Sequence, residues 1–252
     1  MDLPKNAFKA ALKAGQRQIG LWVTIPDSGL VEMLAGCGYD WLLLDNEHSA
    51  MSAVETLPLL QAAAYRVTTV VRPGWNDAVE IKKLLDLGAQ TLLVPYVQNA
   101  EEARAAVAAV RYPPAGMRGV AGLTRASHYG AVADYHRRAQ DEICLLVQVE
   151  TAEALRHIED IAAVEGVDGI FIGPSDLAAS MGYPGQPSHP EVLASVMDAV
   201  ARIKAAGLPP GFLSLDPAAL RQAAAAGAQF IAVDVDAALL RRGALARLAE
   251  WQ

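Results

Sequence analysis

The chain has 252 residues, of which 53% are apolar types, 6% aromatic and 19% charged. High apolar content with little charge excludes a disordered chain, and two Cys exclude a disulfide-stapled scaffold. Lys plus Arg number 21 against 28 Asp plus Glu, a formal charge of −7, so the electrostatic footprint of a nucleic-acid binder is lacking. At the start of the chain, Met1 to Gly20 is polar and carries no apolar run, so a signal peptide is not expected. No apolar stretch approaches the roughly eighteen residues of a membrane span, and the cytoplasm is the expected compartment. Cys37 and Cys144 lie far apart in apolar settings and are expected to be buried, reduced thiols.

From there, short apolar runs alternate with Ala-rich helical stretches. The runs predict strands at Ile19–Thr24, Asp40–Leu44, Val67–Arg72, Gln90–Val94, Ile143–Val149, Asp168–Ile172, Pro210–Ser214 and Gln229–Asp234. Each is continuously apolar rather than alternating, the pattern of parallel strands buried on both faces. Ser52-Ala-Val-Glu55 and Asn99-Ala-Glu-Glu102 fit capping boxes, and Asp216-Pro217 places an N-cap before a first-turn Pro. Gly38, Gly88, Gly166 and Gly227 each stop a helix two residues before a strand. Eight strand-helix units in roughly 250 residues, without a dividing linker, predict one α/β domain, residues 1–252, folded as a TIM (β/α)8 barrel. An open doubly wound sheet is the competing architecture. The one long interruption, Arg111–Gln140, is rich in Gly, Tyr, Arg and His and is expected to serve the site or oligomer contacts.

Chemistry in such a barrel sits at the C-terminal strand ends. Those ends carry Trp22, Asp45-Asn46-Glu47-His48, Arg72, Gln148 with Glu150, Gly173-Pro174-Ser175-Asp176, Leu213 with Ser214, and Asp234-Val235-Asp236. Glu150 and Asp176, from neighbouring strands, can ligate a hard divalent cation such as Mg²⁺ or Mn²⁺; as N-caps they would be merely structural. Asp45 stands three residues before His48 and could orient its ring for proton transfer. Arg72, always protonated, can stabilise an oxyanion, or can be tied in an ion pair with Glu47 or Asp45. The remaining histidines, His128, His136, His157 and His189, read as surface or loop residues. The N–H groups of Ser175 and Asp176 at a helix start offer a small anion site. No Walker A loop or GxGxxG follows strand one, so no nucleotide cofactor is expected. No strand-end Lys is available for a Schiff base. The set suits enolate chemistry on a 2-oxo acid.

Asp45-Asn-Glu47-His48, Val71-Arg72-Pro73, Gln148-Val-Glu150-Thr151 and Gly173-Pro174-Ser175-Asp176-Leu177 together resemble the HpcH/HpaI aldolases, class II enzymes that use pyruvate. Leu85–Pro95 and Tyr112–Gly119 extend the likeness, which runs from about Gly20 to Asp236. The resemblance implies reversible cleavage of 4-hydroxy-2-oxo acids to pyruvate or hydroxypyruvate and an aldehyde. It implies Mg²⁺, Mn²⁺ or Co²⁺ on Glu150 and Asp176, and His48 with Asp45 as acid and base. It further implies Arg72 on the keto oxygen, Gln148 beside pyruvate, and Trp22, Leu213 and Val235 around the aldehyde. It also implies a homo-hexamer, a trimer of dimers that exchange the last helix, with Asp86 reaching a neighbouring subunit's site. Ser49-Ala50-Met51 and Asp234-Val235-Asp236 depart from the family's pattern at the rim, which bears on aldehyde choice. Two further readings stay open. A citrate-lyase-like lyase of CoA thioesters would need a basic groove, and few cations cluster. A non-catalytic oligomer binding 2-oxo acids is opposed by the filled rim.

Overall fold

The computed structural model describes all 252 residues. Helix α1 (Ala7–Lys13) precedes β1 (Gln18–Val23); then come α2 (Ser28–Ala35), β2 (Trp41–Asp45), α3 (Ala53–Ala63), β3 (Thr68–Arg72), α4 (Ala78–Asp86), β4 (Thr91–Val94) and α5 (Ala100–Val110). After the long connection stand α6 (Tyr135–Glu142), β5 (Cys144–Val149), α7 (Ile158–Ala162), β6 (Gly169–Ile172), α8 (Pro174–Ser180), α9 (Pro190–Ala205), β7 (Pro210–Leu213), α10 (Pro217–Ala226), β8 (Phe230–Val235) and α11 (Asp236–Ala249). The eight strands pair in sequence order, all parallel, and β8 returns to β1 to close a barrel. The predicted TIM barrel is therefore the fold, and the open sheet is excluded. No helix is long and apolar enough to cross a membrane.

The strands alternate between two cores. Leu42, Leu44, Val71, Leu92, Leu145 and Val147 face the helices within a cluster of 51 buried residues. Trp22, Trp41, Leu43, Val70, Leu93, Cys144, Leu146, Phe171 and Phe230 fill the barrel within a second cluster of 12. Glycines make that interior possible. A Cβ on Gly20 would lie 2.2 Å from the Trp41 ring, and one on Gly211 2.2 Å from Phe230. Helix α1, absent from the sequence expectations, closes the N-terminal end of the barrel. Its Phe8 packs edge-on against Trp41 and Phe230.

Local signals are mostly realised. Ser52 and Glu55 form the reciprocal capping box. Asn99 caps α5, but the Glu102 carboxylate accepts from the Gln98 N–H instead of closing the box on Asn99. Gly88 and Gly227, at positive φ, stand at the ends of α4 and α10 as expected, whereas Gly38 and Gly166, also at positive φ, lie in the turns beyond α2 and α7, which Gly36 and Ala163 already cap. The 111–140 connection is not all loop: a 3₁₀ turn at Arg125–Ser127 and the helix α6 occupy part of it. Cys144 is buried as expected, and burial pushes its thiol well up. Cys37 is exposed, contrary to expectation, because it follows the capping residue Gly36 on the solvent side of the turn that ends α2.

Candidate active site

The period of two that fills the barrel also builds the site. Inward positions on β2 are Trp41, Leu43 and then Asp45; on β3, Val70 and then Arg72; on β5, Cys144, Leu146, Gln148 and then Glu150 just past the strand. The last inward residue of each is polar and sits over an apolar floor. Asp45 and Arg72 are direct cross-strand partners in the β2–β3 register.

Arg72 is clamped. Its Nε donates to Asp45 Oδ1 at 2.9 Å and its Nη2 to Asp45 Oδ2 at 2.6 Å. Its Nη1 lies 2.7 Å from Glu47 Oε2, and its guanidinium sits 4.9 Å from the Trp22 ring centre. Trp22 Nε1 donates to Asp45 Oδ2 at 2.9 Å. The backbone N–H groups of Glu47 and His48 turn back onto Asp45 Oδ1 at 3.0 and 3.3 Å. Burial alone would push the Asp45 carboxyl up; the Arg72 guanidinium and the Trp22 N–H outweigh it and hold the group below its usual range.

The expected contact between the Asp45 carboxylate and the His48 ring is not formed. Asp45 meets His48 only at the backbone, because both its oxygens are engaged by Arg72 and Trp22. The imidazole is 62% exposed at the mouth, and its Nε2 is 4.0 Å from Glu47 Oε2. Glu47, given no role from sequence beyond a pairing with Arg72, is thus the acid between the guanidinium and the imidazole. Burial raises its carboxyl above the ordinary value despite the nearby Arg72 and His48 charges. Its position two residues past Asp45 in the Asp-Asn-Glu-His run was the available signal.

Glu150 is 1% exposed. Its Oε1 accepts the Tyr96 backbone N–H at 2.8 Å, and its Oε2 accepts Gln148 Nε2 at 2.5 Å. Burial pushes its carboxyl up to about 7, helped by the Glu47 and Asp176 charges and opposed by the Gln148 bond. Gly173 makes room for this pair, since a Cβ there would lie 2.5 Å from Glu150 Oε2 and 3.0 Å from Gln148 Nε2. Pro174 opens α8, with Ser175 and Asp176 exposed in its first turn and no side chain capping it. Leu213 and Val235 line the same end of the barrel core, half-buried against it.

Asp86 is elsewhere in this chain. It ends α4, at the opposite end of the barrel from the mouth, and pairs with the buried Arg118 at 2.9 Å. The other histidines stay outside: His157 faces Glu153 and Asp160, His189 stacks on Tyr183, and His136 packs on Tyr112.

The donors suit a hard cation. Asp45 and Glu47 share the Arg72 guanidinium, and the Glu47 and Asp176 charges both bear on Glu150, so carboxylates outnumber the cation. Gln148 Oε1 is buried with no hydrogen-bond partner. No three acidic, His or Cys side chains converge as a complete ligand set. A pair of carboxylates with further positions left to water and substrate is the arrangement that Mg²⁺-type ions use.

Comparison with known proteins agrees with this geometry. The family model for HpcH/HpaI aldolase/citrate lyase matches residues 18–243. The chain is 67% identical over 252 residues to a hydroxypyruvate/pyruvate aldolase of Sagittula stellata, covering all of both chains. It is 54% identical over 249 residues to a 4-hydroxy-2-oxo-heptane-1,7-dioate aldolase of Salmonella dublin, covering 98% of this chain and 95% of the other. A crystal structure of an HpcH/HpaI aldolase/citrate lyase family protein from Burkholderia cenocepacia superposes with a TM-score of 0.94 at 37% identity, covering 98% of this chain and 99% of that one. A closed parallel barrel with its polar residues gathered at one mouth, matched over nearly its whole length, makes this chain an aldolase-type enzyme belonging to the HpcH/HpaI aldolase/citrate lyase family.

Proposed function

We propose that the protein is a divalent-metal-dependent aldolase that reversibly cleaves 4-hydroxy-2-oxo acids to pyruvate, or hydroxypyruvate, and an aldehyde. The observation that carries this is the buried carboxylate Glu150, which feels the Glu47 and Asp176 charges while the Arg72 guanidinium is taken up by Asp45 and Glu47. Glu150 and Asp176 would hold Mg²⁺, Mn²⁺ or Co²⁺. A divalent ion there would supply a Lewis acid for a 2-oxo acid.

The chain's own groups supply the rest. Arg72, held rigid by Asp45 and stacked over Trp22, presents positive charge to the oxygen on which the enolate develops. His48, exposed at the mouth and beside Glu47, takes the proton of the 4-hydroxyl. The C3–C4 bond then breaks, its electron pair passes to C3 and the keto oxygen as the enolate, and the hydroxyl carbon departs as the aldehyde. Return of a proton to C3 gives pyruvate. Trp22, Leu213 and Val235 shape the aldehyde side, Gln148 lies beside the 2-oxo acid, and the Gly173-Pro174-Ser175 turn receives its carboxylate.

A homo-hexamer built as a trimer of dimers fits the last helix. Of the residues in α11 only Asp236 is buried, while Leu240, Leu245 and Leu248 are exposed. Exchange of this helix between subunits would cover them, and a neighbour's Asp86 would complete each site. The working compartment proposed is the cytoplasm.

EDTA should abolish pyruvate release from a 4-hydroxy-2-oxo acid, and Mn²⁺ or Mg²⁺ should restore it. Activity that survives chelation would refute the metal-dependent reading.

A further inference from the structure

Tyr96 follows β4 at the mouth of the barrel, and its ring has no part in the chemistry above. Its φ is +56°, a left-handed conformation that bulky L residues seldom adopt. A residue stays there only when its surroundings hold it. Two contacts do so. The Tyr96 N–H donates to Glu150 Oε1 at 2.8 Å. The Tyr96 ring stacks on Trp75, with centroids 5.2 Å apart and planes 28° apart. Trp75 lies three residues past Arg72, so the stack joins the mouth of β3 to that of β4.

The neighbouring bonds show why the turn is needed. The β4–β5 ladder pairs Val94 with Val147, and then Pro95, without an N–H, cannot extend it. Past the turn, the Val97 N–H donates to the Gln148 carbonyl at 3.0 Å, and the Thr151 hydroxyl donates to Gln98 Oε1 at 2.5 Å. The end of β4 therefore stays against the end of β5, and the left-handed residue sends its one N–H to a side chain instead of the ladder. Trp75 and Tyr96 are 53% and 39% exposed, so the pair is seated on the surface and not in the core.

We infer that Tyr96 is a positioning residue: the Trp75–Tyr96 stack holds a left-handed turn whose backbone N–H fixes Glu150 Oε1 and aims the carboxylate for a cation. The inference rests on the proposed role of Glu150 in holding a metal. It orders variants by backbone preference and not by side-chain size. Tyr96→Gly keeps the N–H and accepts positive φ; Tyr96→Val keeps the N–H and resists it. Trp75→Phe keeps a stacking ring; Trp75→Ala does not.

The test is a Mn²⁺ titration of the metal-free full chain, read by the electron paramagnetic resonance of free Mn²⁺, with thermal melting to confirm folding. Tyr96→Gly and Trp75→Phe should bind within about twofold of the unsubstituted protein, and Tyr96→Val about tenfold more weakly, because it loses the stack and brings a β-branched side chain to a left-handed position. Trp75→Ala should fall between. Equal affinities for the Gly and Val variants would overturn the inference. Amide hydrogen exchange at Tyr96 in the metal-free chain separates the turn from the metal. It should be at least about tenfold faster in Glu150→Ala, and equal rates would refute the turn's role. If the unsubstituted chain takes up no Mn²⁺, the metal reading and the cation half of the inference both fail, whatever the exchange rates show.

Discussion

Replacing Glu150 by Gln separates the stability of the site from its chemistry. The Glu150 carboxyl is pushed from an ordinary 4.5 to about 7, first by burial and then by the Glu47 and Asp176 charges. Below pH 4.5 it is protonated in both folded and unfolded chains and contributes no pH dependence. As pH rises, the unfolded chain loses this proton first while the folded chain retains it until about pH 7. Folding stability is therefore lost between those values and is constant above them. A shift from 4.5 to about 7 corresponds to about 3 kcal/mol. Glu150→Gln removes the titration and keeps the shape. Its amide oxygen can still accept the Tyr96 N–H, and its NH2 can meet Gln148 Oε1, now without a partner, once the Gln148 amide turns over. Urea unfolding in EDTA should show the gain of Glu150→Gln over the parent growing by about 3 kcal/mol from pH 4.5 to above pH 7. Saturating Mn²⁺ should stabilise the parent alone and reduce or reverse that gain. A gain independent of pH would refute the argument that burial and like charge, unbalanced by a cation, set the protonation of Glu150.

Three other outcomes follow from the same geometry. Arg72→Lys replaces a fork bonded twice to Asp45 by a point charge, and kcat should fall by about 10²–10³ with little change in metal affinity. A loss under threefold would remove Arg72 from enolate stabilisation. His48→Ala should leave the melting temperature within a degree or two, since the ring is exposed, yet lower turnover by about 10²–10⁴; unchanged aldol cleavage would take His48 out of proton transfer. Asp236 accepts from the Thr24 N–H and hydroxyl, the Ile25 N–H and the Ala237 N–H. Asp236→Ala should therefore cost about 2–4 kcal/mol in urea unfolding, whereas Asp236→Asn, which keeps acceptors, should cost less; equal losses would show that the bond network is not the cause.

How much was legible varies by element. All eight strands begin and end within one residue of the runs read from sequence, because parallel strands buried on both faces are continuously apolar. The Ser52 box and the stopping glycines Gly88 and Gly227 were equally local, and so equally readable. Helices α1 and α6 were not. Helix α6, Tyr-His-Arg-Arg-Ala-Gln-Asp-Glu, carries only two apolar side chains, Tyr135 and Ala139, too few to mark it out. Its last residue, Glu142, is held by Lys5 and the Asn6 N–H, 136 to 137 residues away in the chain.

The site divides along the same line. Sequence alone determined which residues reach the mouth, since strand period and strand end place Asp45, Arg72, Gln148 and Glu150 on inward positions one after another. Tertiary structure alone decided what each one does there. Asp45 could have turned to His48, three residues on, but the β2–β3 register puts Arg72 directly beside it, and β1 brings the Trp22 indole. Glu150 is kept protonated toward neutrality by burial and by carboxylates from β2 and β6 loops, and its bond to Tyr96 needs a left-handed turn on β4. Hydrophobic pattern is written along the chain, whereas electrostatic partnership depends on distances across it, and those exist only once the barrel has closed.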